Sequence, residues 1–154
     1  MLGQGAVLRE LGALTRTVHA IIDVQFKTIN LQKGQSIYLT RICENPGISL
    51  MDLSRKLMMD KSSSTKAVKK LISGGLVLKA QDPHDKRSYQ LFPTPKAKDV
   101  YNFIIEEESR QVQQCYSGFN DEEKAAVCEL VRKMRRNIEE DWYSLKNYRH
   151  GDRS

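Results

Sequence analysis

The chain has 154 residues, of which 40% are hydrophobic and 29% charged, with only four prolines and nine glycines. That is enough apolar material for one folded domain, and it excludes a disordered or collagen-like chain. The formal charge of +6 points to an anionic partner, while no apolar run approaches the roughly 18 residues that span a bilayer.

From about Ala6 to Asn30, Leu8, Leu11, Leu14, Val18, Ile21, Ile22, Phe26 and Ile29 recur at steps of three and four, one stripe of a long amphipathic helix. A second helix is expected from Lys33 to Glu44, ended by Asn45-Pro46-Gly47. Ser49-Leu50-Met51-Asp52 resembles a capping box and opens a short third helix to about Leu57. Asp60 caps a fourth, Lys61 to Ser73, which Gly74-Gly75 stops. Leu76 to Ala80 and Ser88 to Phe92 read as two strands, joined by the charged turn Asp82-Pro83-His84-Asp85-Lys86-Arg87. Thr94-Pro95 then starts a fifth helix to about Tyr116, since proline suits the first helical position. Asn120-Asp121-Glu122-Glu123 caps a sixth, with Val127, Leu130, Val131, Met134, Ile138, Trp142 and Leu145 along one side. The expected fold is mainly α with a small two-stranded β-hairpin.

The positive charge is concentrated. Residues 49–98 hold 11 Lys/Arg against 4 Asp/Glu, a net of +7, whereas residues 1–48 sum to +2 and residues 99–154 to −3. A basic block between nearly neutral flanks is the footprint of a nucleic-acid reader. Two short helices followed by a hairpin make a winged helix-turn-helix, whose second helix fits the major groove. Lys61, Ser62, Ser63, Ser64, Thr65 and Lys66 crowd the start of that helix. Consecutive serines form helix poorly, so their hydroxyls are read as base-edge contacts, with Lys66, Lys69 and Lys70 reaching phosphates. In the turn, Arg87 suits a narrow minor groove, Asp85 is placed to hold its guanidinium, and His84 and Lys86 lie near the DNA backbone.

Residues 48–98, with Gly74-Gly75-Leu76-Val77, Asp85-Lys86-Arg87 and Phe92-Pro93-Thr94-Pro95-Lys96, resemble the winged helix of MarR/SlyA regulators. The flanking helices follow the same order over essentially the whole chain. Leu8-Arg9-Glu10-Leu11-Gly12 and Arg41-Ile42-Cys43-Glu44-Asn45-Pro46-Gly47-Ile48 are similar to SlyA-like members from Gram-positive bacteria; Ala97 departs from the glycine common after the lysine. The resemblance implies a cytoplasmic homodimer on a palindromic operator, a repressor relieved by a small aromatic or anionic effector. Residues 1–32 and 99–154 would dimerise, and residues 33–98 would form the DNA-binding lobe. The effector candidates are Arg16, His19, Phe26, Tyr38 and Arg41.

Other chemistries find little in the chain. Cys43, Cys115 and Cys128 lie far apart and read as packing thiols, and His19, His84 and His150 are too dispersed for a metal site. With no Gly-rich phosphate loop, no metal motif and no nucleophile beside a base, neither an enzyme nor a cofactor is expected. The competing class is a dimeric ligand- or protein-binding module on the same scaffold, without sequence-specific DNA reading.

Overall fold

The structure, a computed structural model, describes residues 3–32 and 34–146. Helix α1 (Ala6–Phe26) stops short of Asn30, because the chain tightens into a 3-10 turn (Lys27–Ile29) and Asn30 turns left-handed at φ 57°. Helix α2 (Ser36–Glu44) begins later than expected, since Gly34 adopts φ +79° and Gln35 Oε1 accepts the backbone N–H of Gln32 at 3.0 Å. Lys33, the expected start, lies outside the described residues.

The core of the lobe is built as the apolar spacing implies. Ser49 Oγ accepts from Asp52 N at 3.1 Å and caps α3 (Leu50–Lys56), and Asp60 caps α4 (Lys61–Ser73). Leu39, Ile42, Leu53, Leu71 and Leu91 are fully buried together with Ile104 of α5 (Pro95–Cys115). Burying a side chain of this size stabilises the fold by about 1.5–3 kcal/mol.

The sheet corrects the expected two-stranded hairpin. Strand β1 (Ile48–Ser49) pairs with β3 (Tyr89–Pro93), which also pairs with β2 (Val77–Gln81), so the order is β1-β3-β2, antiparallel throughout. Ile48 lies opposite Leu91 and Ser49 opposite Gln90. Gly47 makes this possible: at φ +90° it turns the chain so that its N–H donates to Leu91 O at 2.8 Å. A two-residue strand is too short to show alternation in sequence.

Helix α5 is fastened where the lobe ends. Thr94 Oγ1 accepts from Ala97 N at 3.3 Å while donating to Gly75 O at 2.7 Å, and Lys96 Nζ donates to Gly74 O at 3.3 Å. The end of α4 and the start of α5 are thereby one unit. Helix α6 (Asp121–Leu145) has the expected capping box, with Asn120 Oδ1 accepting from Glu123 N at 2.8 Å. None of its residues is buried within the protomer: Leu130 and Ile138 are each 61% exposed and Leu145 is 77% exposed. Leu8, Leu14 and Val24 of α1 are likewise at least half exposed.

Candidate nucleic-acid interface

The first turn of α4 is organised by one carboxylate. Asp60 Oδ1 accepts from Ser63 N at 2.8 Å and from Ser62 Oγ at 2.9 Å, and Oδ2 accepts from Ser63 Oγ at 3.1 Å. The backbone N–H of Ser63, then the two hydroxyls, hold the Asp60 carboxyl down at about 2. Ser62, Lys66, Lys69 and Lys70 are exposed, and Ser63 and Thr65 are half-buried. Thr65 Oγ1 donates to Lys61 O at 2.8 Å.

Ser64 differs from its neighbours and corrects the sequence expectation. It is fully buried, its hydroxyl donates to Asp60 O at 2.9 Å, and it shares the inner face of α4 with Val68 and Leu71. It is therefore a packing residue, removed from any base edge. The signal was present in the spacing, since 64, 68 and 71 follow the helical period.

The wing turn is rigidified by its own carboxylates. Asp82 Oδ1 accepts from His84 N at 2.8 Å, Asp85 Oδ1 accepts from Arg87 N at 2.9 Å, and Gln81 Nε2 donates to Lys86 O at 2.9 Å. The expected grip of Asp85 on the Arg87 guanidinium is absent, because the two-residue spacing closes a turn onto the backbone N–H instead. The Arg87 side chain is exposed and makes no ion pair among the described residues.

Between wing and helix opens a groove of about 1040 Å³. Lys61, Thr65 and Lys69 face it from α4; Lys79, His84, Asp85 and Arg87 face it from the sheet and turn. The structure thus brings part of each group of candidates to one concave surface, while Ser62, Ser63, Lys66 and Lys86 do not line it. Sequence reasoning missed Lys79 and Tyr89, which also line it, the ammonium standing 4.3 Å from the ring centroid. Their register explains the contact: Lys79 pairs with Leu91 and Gln81 with Tyr89, so both side chains share a sheet face. The alternation of β2 and β3 was the available signal.

The effector candidates do not converge. Phe26 and Tyr38 are buried in the core at 2% exposure each, with Phe26 packed on Phe103 at 6.2 Å between ring centroids. Arg41 pairs with Glu44 at 2.9 Å, and Arg16 is exposed on α1. Only His19 lines the second cleft, about 260 Å³ between α1 and α5, with Val18, Ile22, Glu108, Gln111, Val112 and Cys115. Burial raises the Glu108 carboxyl there, against a lowering by Arg41. The hydroxyl of buried Tyr38 has no hydrogen-bond partner among the described residues. Burial also raises the Cys43 thiol, whereas Cys115 and Cys128 are exposed in the protomer. No cluster of metal-ligating side chains occurs among the described residues; His150 lies outside them.

A basic capped helix beside a charged β-turn, carried on a three-helix core, is the arrangement of a winged-helix DNA-binding protein. Residues 31–89 match the MarR family. The chain is 38% identical to the uncharacterised HTH-type transcriptional regulator YybA of Bacillus subtilis, over 91% of this chain and 93% of that protein. Its fold matches a MarR protein from Peptoclostridium difficile with a TM-score of 0.88 at 50% identity, covering 95% of this chain and 97% of that one. A MarR family regulator from Listeria monocytogenes, solved in complex with a 26mer DNA, matches with a TM-score of 0.88 at 36% identity, over 96% and 97% of the two chains. The chain belongs to the MarR family of transcriptional regulators. Its relatives are regulators, not enzymes. Among the described residues no helix is long and apolar enough to cross a membrane.

Proposed function

We propose that the protein is a cytoplasmic, sequence-specific homodimeric repressor that reads a palindromic operator. The observation that carries this reading is the shared groove: Lys61, Thr65 and Lys69 of α4 and His84, Asp85 and Arg87 of the wing line one concave surface, with Lys66, Lys70 and Lys86 exposed on the same two elements. The solved DNA complex of the Listeria relative supports the same use of the fold. Residues 33–98 form the DNA lobe. The exposed apolar faces of α1 and α6 support dimerisation through residues 1–32 and 99–154, since a lone protomer would leave them in water. Two copies would set their recognition helices about one DNA turn, roughly 34 Å, apart.

Relief by a small effector belongs to the same proposal. Its site is the cleft between α1 and α5, with His19 as the retained candidate. The apolar walls Val18, Ile22 and Val112 suit an aromatic molecule, and the Glu108 carboxylate disfavours an anion.

Binding of the purified protein to its own promoter and to a scrambled duplex, each at two salt concentrations, tests the reading. A specific site that survives at higher salt, with one dimer per palindrome, is expected. Equal and steeply salt-dependent binding to both duplexes would show that only phosphates are contacted, and the interaction-module reading would replace this one.

A further inference from the structure

The hydroxyl-rich start of α4 has a polarity that its sequence alone does not reveal. A hydroxyl carries one hydrogen and two lone pairs. Ser62 Oγ lies 2.9 Å from Asp60 Oδ1 and Ser63 Oγ 3.1 Å from Asp60 Oδ2. An ionised carboxylate only accepts, so both hydroxyl hydrogens point at Asp60. Thr65 Oγ1 lies 2.8 Å from the carbonyl of Lys61, which also only accepts. All three hydrogens are committed to the protein, and what these oxygens retain for a partner is lone pairs.

We propose that Ser62, Ser63 and Thr65 read hydrogen-bond donors on the DNA, namely the exocyclic amino groups of cytosine and adenine in the major groove. The inference rests on the DNA-reading function above and assigns its chemistry. Cytosine N4 and adenine N6 are the donors that a duplex presents in that groove, whereas guanine O6 and N7 and thymine O4 accept. Three acceptor oxygens set against an acceptor edge would leave lone pairs facing one another, unpaired and desolvated. The negative charge of Asp60, immediately behind Ser62 and Ser63, reinforces the preference by favouring amino hydrogens. Lys61, Lys66 and Lys69 supply the donors on the same helix, so the acceptor edges and phosphates have partners of their own.

The test begins with full-length protein selecting duplexes from a random-sequence pool. Ser62→Ala, Ser63→Ala and Thr65→Val then identify the base pairs whose preference each side chain sets. At those positions the wild-type site is rebuilt with single edge atoms removed: nebularine for adenine or 2-pyrimidinone for cytosine deletes the amino group, and 7-deazapurines delete N7. The expected result is that amino deletion weakens wild type about 5- to 150-fold more than it weakens the matching variant, while N7 deletion affects both alike. A larger penalty from N7 deletion in wild type than in the variants overturns the proposal. Asp60→Asn gives a second reading, because it keeps the cap acceptor but puts an amide N–H where Oδ2 stood. That N–H donates to Ser63 Oγ and turns the hydroxyl outward as a donor, so the Ser63-dependent position should switch to an acceptor edge. An unchanged preference there also overturns the proposal. A pool that yields no enriched sequence with wild type is a different failure, one that removes the DNA-reading function itself.

Discussion

Arg87 and Asp60 illustrate opposite uses of a charge. Arg87 makes no ion pair among the described residues, so its removal should leave the fold intact and fall on binding alone. Arg87→Ala is expected to weaken operator binding by about 1–3 kcal/mol with an unchanged thermal midpoint; unchanged affinity would remove the wing from recognition. Asp60 instead acts inside the protein. Its folded carboxyl ionises near 2, below the ordinary 3.8, so the capping contribution is present above 3.8 and is lost as the pH falls toward 2. The gap in thermal midpoint between wild type and Asp60→Ala should therefore be widest above pH 4 and close in stronger acid. Ser64 is a third case, a serine among serines that faces the core. Ser64→Ala should cost about 1 kcal/mol in denaturant unfolding and leave the selected DNA sequence unchanged. A changed sequence preference would return Ser64 to the reading surface.

At the scale of elements, α4 is held by the side it hides. Leu71 is 1% exposed beneath the lysine face, and Leu71→Ala should cost about 2–5 kcal/mol of unfolding free energy by leaving a cavity. A loss well under that range would mean the lobe collapses around the gap. Caps were the most legible signals in the sequence: Ser49, Asp60, Thr94 and Asn120 all accept the backbone N–H that their positions imply. Their chemistry is local, so a few residues suffice to announce it. Strand β1 was illegible because its partner residues, Gln90 and Leu91, lie more than forty positions away and only two residues pair. The wing contacts were half legible. A charged turn announces itself, yet the choice of Asp85 between the Arg87 guanidinium and the Arg87 backbone N–H is made by turn geometry. The burial of Phe26 and Tyr38 was illegible for a related reason: apolar periodicity marks an inward face without saying whether that face meets a cleft or the core.

For the whole molecule, the decisive feature is what stays uncovered. Val131 and Met134 stand between Leu130 and Ile138 on the α6 stripe, and all four are at least one-third exposed. Ile138→Asp places a charge in that stripe and should convert the proposed dimer to monomers in sedimentation experiments. Losing the second lobe should then lower operator affinity by about 10²–10⁴. A dimeric Ile138→Asp variant would place the interface elsewhere. Its charge distribution has the same logic at this scale, since the +7 block coincides with the lobe and the −3 segment with α5 and α6. Anionic DNA is thereby drawn to the segment that carries α4 and the wing.

Helix α5 runs from the winged-helix lobe to the α1–α5 cleft. Its start is tied to the Gly75 and Gly74 carbonyls just past α4 through Thr94 and Lys96, and its last turn, at Cys115, forms a wall of the α1–α5 cleft. Twenty-one residues of helix span about 30 Å, so α5 is a stiff lever arm with one end at the DNA lobe and the other at the cleft. A tilt of about 5° about the Cys115 end swings the Pro95 end through about 2.6 Å, by the length of the arm. The recognition helix, bolted to the moving end, travels with it. In the proposed symmetric dimer, two such arms turning in opposite senses would alter the span between the recognition helices by about 5 Å, more than one base-pair step of the roughly 34 Å turn proposed for them.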